Sequence, residues 1–500
     1  MKLLPTLLLA GSALATATLP LAAQDALPQA QDSYFQAGQA ALAEKLADQP
    51  RTGRAKNVIL FIGDGMSIPT ITAGRIFEGQ SRGVDGESNS LSFERLPYAA
   101  LSKTYTHDAQ VADSAPTASA MTSGVKTLNG VIGVDQTVKH DTCAGAADAA
   151  VETIFEQAEA AGLSTGIVST ARITHATPAA AYAHTPNRDW ENDKTLTDEA
   201  KANGCKDIAA QLVEWPAGDG FEVILGGGRA NFLPAEMADP EVADKKGSRT
   251  DKRDLVAEWQ KKYNDGVYVW NAAEFANVDP AKVGHMFGLF ERSHMQYEAD
   301  RQKDKAGEPS LAEMTAKAID VLSKNDEGYV LMVEGGRIDH AHHAGNAARA
   351  LVDTVALSEA VKTALDKVNL DDTLVVVTAD HAHTMTINGY PKRNNPILGL
   401  AVEIDGSLSK GDDGKPYTTL QYANGPGAKK DEPRADLSNV DTTDIDYLQQ
   451  ALVPIGESET HAGDDVAIFA AGPWAHLFHG VVEQNFIYHV MAKASDITAR

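Results

Sequence analysis

Uninterrupted apolar runs recur along the chain, and three of them stop in a carboxylate. Residues 57–65 read NVILFIGDG with Asp64 between two glycines, residues 329–334 read YVLMVE and end on Glu334, and residues 373–380 read TLVVVTAD and end on Asp380. Runs of this length, bounded by glycine or polar turns, predict buried strands. Between them, apolar residues fall at helical spacing over 33–47, an amphipathic arm carrying Phe35, Ala41, Leu42 and Leu46, and over 144–161, 207–214, 311–322 and 347–368. Further strands are expected over 164–170, 221–225, 268–270 and 466–470. This alternation predicts an α/β chain with a central, largely parallel sheet flanked by helices on both faces. Residues 388–434, rich in Gly, Pro, Asp and Lys, interrupt the alternation and read as an inserted small subdomain, with short β elements near 398–404 and 417–422.

Composition narrows the class. With 500 residues and 43% hydrophobic content the chain can bury a large core, and its net charge of −25 argues against a nucleic-acid or anionic-membrane surface. Residues 1–23 carry one lysine, an apolar stretch over 3–14 and small residues at Ala22 and Ala23, the pattern of a secretory signal peptide. No second run of membrane-spanning length follows and the C-terminal residues are polar, so an exported chain with no membrane anchor is expected. Cys143 and Cys205 are the whole cysteine complement, and an even count in an exported protein favours one disulfide.

The chemistry concentrates where the strands end. After Glu334 and a Gly-Gly turn come Asp339, His340, His342 and His343. If that segment is helical, Asp339 and His343 stand at i and i+4 on one face, the spacing two ligands of one ion need. Asp380 is followed by His381 and His383, and His461 precedes the 466–470 strand. In open parallel sheets ligands bind beyond the carboxyl ends of the strands, so Asp64, Glu334 and Asp380 converge on one crevice. Mutual repulsion forbids that arrangement without cations. Imidazoles 343, 381 and 461 suit zinc, whereas Glu334 and a hydroxyl such as Thr177 suit a harder ion. Ser114, in ADSAPTASAMTSG, opens a helix of small residues and is either a helix cap or a group presented to an anion. His175, Thr177 and Arg188 lie together on a Pro-bearing loop segment.

Six separated motifs, DGM at Asp64, DSAPTASA around Ser114, HATPAAAYAHTPNR to Arg188, VEGGRIDHAHH, TADHAH and ETHAGDDV, resemble the alkaline phosphatase family in order and chemistry over nearly the whole length after the signal. LQYANGPG and AHLFHGVVEQN bring the resemblance closer to the animal type than to the enterobacterial type. Without the animal membrane-anchor tail, it points to a bacterial exported enzyme, periplasmic or secreted. The resemblance implies one α/β domain over 33–500 with a crown-like insertion at 388–434, and a homodimer hydrolysing small phosphomonoesters. It implies two zinc ions, one on Asp339, His343 and His461 and one on Asp64, Asp380 and His381, with magnesium on Asp64, Thr177 and Glu334. Ser114 is then the nucleophile that forms a phosphoserine, Arg188 grips phosphate oxygens, and His175, His340 and His383 stand behind the ligands. A calcium ion on Glu241, the Phe290 carbonyl, Glu291 and Glu308 is implied as well. The competing readings are a phosphodiesterase or sulfatase on the same scaffold, or a metal or phosphate scavenger that would not need Ser114.

Overall fold

The three carboxylate-ended runs become neighbouring strands. A computed structural model describes residues 27–499. In chain order its strands are β1 (Asn57–Gly63), β2 (Tyr98–Lys103), β3 (Ser164–Arg172), β4 (Val223–Gly227), β5 (Gly266–Val269), β6 (His285–Leu289), β7 (Tyr329–Gly335), β8 (Thr373–Ala379), β9 (Ala382–His383), β10 (Met385–Ile387), β11 (Leu420–Asn424), β12 (Ala451–Val453), β13 (His461–Ala462), β14 (Val466–Ala471) and β15 (Val481–Glu483). Among the described residues the largest sheet runs β15-β2-β14-β8-β1-β7-β3-β4-β6-β5. From β8 to β5 every pairing is parallel. β14 lies antiparallel between β8 and β2, so one end of the sheet is mixed.

Strand alternation divides the core in two. Val58, Leu60 and Ile62 of β1, with Val330 and Met332 of β7, pack on one face under helices Ser114–Ser123 and Phe486–Ser495. Ile59, Phe61, Leu331 and Val333 pack on the other under helices Leu311–Leu322 and Ala347–Lys367. β7 and β8 are buried along their whole lengths. Each such aliphatic side chain contributes about 1.5–3 kcal/mol, so the central strands hold whatever projects from their ends on a rigid support.

Some local expectations change. The helix expected over 144–161 is a 3-10 turn, Ala146–Ala149, and a separate helix, Ile154–Ala160. Thr153 restarts the chain there through a reciprocal cap, accepting from the Glu156 N–H while the Glu156 carboxylate accepts from its own. The stretch 398–404 makes only isolated bridges, Leu400 to Thr418 and Val402 to Leu408. The three-stranded sheet β10-β11-β12 takes β11 from within 388–434, where an element was expected over 417–422, and β10 and β12 from the segments on either side. Its apolar face, with Met385, Leu420 and Tyr422, rests on Ala73, Ile76, Ala347 and Leu351.

The described residues 27–49 belong to a unit of their own, distinct from residues 50–499. There, helix Ser33–Ala47 is capped by Asp32, which accepts from the Tyr34 and Phe35 N–H groups, and none of its residues is buried. Its apolar residues Leu42 and Leu46 are exposed, so the expected stripe does not form a core. The expected signal segment, residues 1–23, lies outside the described residues. Among the described residues, no helix is long and apolar enough to cross a membrane.

Cys143 and Cys205 are joined, with Cα atoms 5.9 Å apart and a sequence separation of 62. Loop-closure entropy makes that link worth about 4 kcal/mol. The double variant Cys143→Ala/Cys205→Ala is therefore expected to unfold at markedly lower urea concentration, and an unchanged midpoint would show that the link does not constrain the unfolded chain.

Glu159, buried beside Glu222, is pushed up to about 9 from its ordinary 4.5, first by burial and then by the Glu222 charge. Between those values the folded chain keeps a proton that the unfolded chain releases, so stability from this group falls as pH rises through the window. Glu159→Gln is expected to flatten the decline of the thermal midpoint between about pH 5 and 9; a slope equal to that of the parent chain would contradict it.

Candidate active site

Register brings the strand ends together. Glu334 lies opposite Ile62 and Ala379 opposite Gly63, so Asp64, Glu334 and Asp380 leave three adjacent strands at one edge, each fully buried. The chain turns directly after Asp64 at Gly65, where φ is +66° and a Cβ would stand 2.3 Å from Cδ2 of His383. Only glycine fits that turn. Its N–H and that of His381 both donate to Asp380 Oδ1, at 3.0 and 2.9 Å. After the Gly-Gly turn, helix Arg337–His343 forms as expected, and His343 Nε2 lies 3.3 Å from Asp339 Oδ1. The small β9–β13 ladder pairs His461 with His383 and so returns a distant segment to the same edge.

Ser114 is the first residue of helix Ser114–Ser123, which is buried throughout. The cap is Asp113, whose side chain accepts from the Ala115 N–H at 2.8 Å. The Ser114 hydroxyl is thereby left to face the strand ends, donating to Asp64 Oδ1 at 3.4 Å with His381 Nε2 at 3.2 Å. Of the two readings open from sequence, the capping role belongs to its neighbour.

The imidazoles are oriented for cations. His343 and His461 approach each other Nε2 to Nε2 at 3.0 Å, and each lies within 3.4 Å of Asp339 Oδ1. Their Nδ1 atoms face the carbonyls of Glu459 and Ala112 at 2.6 and 2.7 Å. Each ring therefore donates outward and turns a lone pair inward, as metal-ligating histidines do. His381 Nε2 sits 3.3 Å from Asp64 Oδ1 and 3.4 Å from Asp380 Oδ2, a second set of the same kind. In a third place, Asp64 Oδ2, Thr177 Oγ1 and Glu334 Oε1 are buried without hydrogen-bond partners. An orphaned buried polar atom costs about 1–3 kcal/mol, and oxygens of this type grouped together fit a hard divalent ion.

Electrostatics agree. Burial, then Asp339, Asp380 and Glu334, raises the proton affinity of Asp64 far above the usual carboxylate range. Burial, with Asp380 and Asp339 adding to it, pushes Glu334 up to about 7. Against burial, Asp339 and Glu459 on its two ring nitrogens push His383 up to about 9. Positive charge placed among these groups would favour the ionised carboxylates of Asp64 and Glu334 and displace the proton from His383.

Arg188 faces the same crevice from the loop that follows β3. Its Nη1 donates to Asp113 Oδ1 at 2.9 Å and its Nη2 to His175 Nε2 at 3.0 Å. Burial first, then the Arg188 charge, holds His175 neutral, and burial lowers His340 to about 3. Asp113 and Glu459 were not singled out from sequence, although one precedes Ser114 and the other lies two residues before His461. Glu459 is buried and accepts from Thr384 N–H and Oγ1 at 2.7 and 2.6 Å as well as from His383.

Of the residues expected around calcium, Glu241 and Glu308 both lie close enough to Glu291 to feel its charge. Glu308 is pushed up to about 9 by burial and by Glu291, and Glu241 up to about 7 by burial, with Asp304 and Glu291 contributing. Asp304, which sequence reading passed over, completes this group, and its Oδ2 and Glu308 Oε2 are buried without partners. Phe290 precedes Glu291 directly after β6, with its ring in the core.

Residues 55–497 match the family model described as Alkaline phosphatase. The tissue-nonspecific isozyme of alkaline phosphatase from Rattus norvegicus is 46% identical over 455 residues, covering 90% of this chain and 85% of its own length. Alkaline phosphatase from Gadus morhua is 45% identical over 450 residues, covering 89% and 92%. Among solved structures, alkaline phosphatase from the Antarctic bacterium TAB5 superposes with a TM-score of 0.60 at 26% identity, covering 89% of this chain and 99% of its own. That of Thermus thermophilus gives 0.63 at 24% identity over 91% and 94%, a likeness of fold.

Glu459 fixes His383, which in turn holds Asp339, so it orients a ligand of any ion seated there. Glu459→Gln is expected to weaken retention of a metal ion at Asp339 by about tenfold in competition with a chelator, the usual effect of losing such a support. Retention equal to that of the parent chain would mean that Asp339 is held without it.

Proposed function

The chain belongs to the alkaline phosphatase family and is a metal-dependent phosphomonoester hydrolase, and from that premise we propose that Ser114 carries the phosphoryl group between substrate and water. The observation that carries the reading is the Ser114 hydroxyl at the N-terminus of a buried helix, 3.2 Å from His381 Nε2 and 3.4 Å from Asp64 Oδ1, with the Arg188 guanidinium facing the same crevice.

Asp339, His343 and His461 would hold one zinc, Asp64, Asp380 and His381 the other, and Asp64, Thr177 and Glu334 magnesium. When bound, these ions supply the positive charge and Lewis acidity that favour a seryl oxyanion and a departing alkoxide. The Ser114 Oγ gives up its proton to solvent and forms a bond to phosphorus as the bond to the alcohol oxygen breaks, and the alcohol leaves with a proton taken from solvent. Water then attacks the phosphoserine, the Oγ–P bond breaks, and serine and inorganic phosphate are regenerated. Arg188 has N–H donors beyond the two given to Asp113 and His175, and these suit two phosphate oxygens. Asp113 holds the Arg188 fork while capping the nucleophile's helix, so one carboxylate sets the distance between them. His175 and His340, both neutral, add no charge beside the magnesium ligands, and His383 orients Asp339.

Glu241, Glu291 and Glu308, with the Phe290 carbonyl and the newly found Asp304, form the proposed calcium group. Buried carboxylates that raise one another's proton affinity support it. Family resemblance supports a homodimer, and residues 1–23 read as a signal that exports the chain to the periplasm or beyond. The 388–434 insertion, bearing β11, is proposed as the crown-like subdomain of the single domain over 33–500.

Ser114→Ala is expected to lower turnover of para-nitrophenyl phosphate by a factor on the order of 10³ or more, with zinc content unchanged and no phosphoserine recovered after acid quench. Retention of most activity would overturn the nucleophile assignment.

A further inference from the structure

Arg188 stands in a closed ring of contacts. Its backbone N–H donates to the Gly130 carbonyl at 2.8 Å and its Nη2 to His175 Nε2 at 3.0 Å. The His175 backbone N–H donates to the carbonyl of Arg172 at 2.8 Å. Arg172 then reaches across to the loop bearing Arg188, where its Nε and Nη2 donate to the two carboxylate oxygens of Glu191 at 2.7 and 2.6 Å. Glu191 lies three residues after Arg188, so the ring returns to its start. The same carboxylate accepts from Thr174 Oγ1 at 2.6 Å and from Asn231 Nδ2 at 3.0 Å. Glu191 thus joins the end of β3, the Arg188 loop and the turn after β4.

His175, His294 and His340 also lie close enough to offer a nitrogen set to an ion. Their hydrogen bonds speak against it. His175 Nε2 accepts from Arg188, and both nitrogens of His294 face Arg172, one its N–H at 3.2 Å and the other its Nη1. A neutral imidazole has a single accepting lone pair, and in His175 and His294 that lone pair already meets an arginine N–H. Their work here is to seat arginines.

We propose that Glu191 is a positioning residue for phosphate recognition, fixing the Arg188 fork through its two-point ion pair with Arg172. This rests on the reading of Arg188 as the phosphate grip. The pair is largely shielded, with side-chain exposures of 23% for Arg172 and 15% for Glu191. A guanidinium left there alone would seek another acceptor, and His175, which receives Arg188, follows Arg172 by three residues.

The test is a double-mutant cycle on the holoenzyme, reading inhibition by inorganic phosphate together with kcat and KM for para-nitrophenyl phosphate. Glu191→Ala is expected to raise the phosphate inhibition constant and KM by about tenfold, the effect of losing a charge-assisted contact, with a smaller fall in kcat and native zinc content. Glu191→Gln, which keeps one hydrogen bond, should recover part of the loss. Arg172→Lys keeps the charge but loses the fork and should reproduce it, which carries the test if Glu191→Ala does not fold. In an Arg188→Ala background the Glu191 change should add nothing to the phosphate constant. An equal further rise there, or unchanged or tighter phosphate inhibition in the single variants, overturns the proposal. If Arg188→Ala itself leaves phosphate inhibition unaltered, the Arg188 assignment fails and this inference with it, an outcome the Glu191 data alone would not produce.

Discussion

Three buried carboxylates at the ends of three adjacent parallel strands repel one another, and the rest of the site is arranged around that repulsion. Asp64, Glu334 and Asp380 have no exposure to water, and the sheet gives them no freedom to separate, since register fixes β7, β1 and β8 side by side. Like charges in such a place stay ionised only with compensating positive charge. Divalent ions provide it in compact form, and the hydroxyl of Ser114 is set directly against two of the groups they would bridge, Asp64 and His381.

The surroundings then brace two groups of side chains, the imidazoles around Asp339 on one side and Arg188 on the other. On the first side, carbonyls of Ala112 and Glu459 set the tautomers of His461 and His343, while the Glu459 carboxylate locks His383 against Asp339. On the second, Asp113 and the Arg172–Glu191 pair hold Arg188 from two directions. The disulfide adds a third support, since Cys143 and Cys205 pack with Trp190, two residues beyond Arg188. A guanidinium carried on a loop needs such bracing, because a loop by itself is the least rigid part of a fold.

Much of this was legible in the sequence because it is written locally. An apolar run ending in a carboxylate announces a central strand and its cargo, and the i, i+4 spacing of Asp339 and His343 needed only a helix to become a ligand pair. The resemblance of six motifs then tied the pieces to a family. What sequence reading missed is non-local. Glu191 and Asp304 look like surface charges until the fold brings Arg172 to one and Glu241 to the other. β2 and β15, partly exposed strands at the mixed end of the sheet, carry too weak a pattern to stand out. The 144–161 segment misled in the opposite direction, because its alanine-rich texture hides the cap at Thr153 that splits it.

The central claim is that cations resolve the crowding at the strand ends, and anomalous diffraction from crystals of the active protein at the zinc edge tests it most directly. The account predicts zinc peaks among Asp339, His343 and His461 and among Asp64, Asp380 and His381, with a lighter ion beside Thr177 and Glu334. Active crystals with no ion at these places, or with zinc seated on His175, His294 and His340 instead, would contradict it.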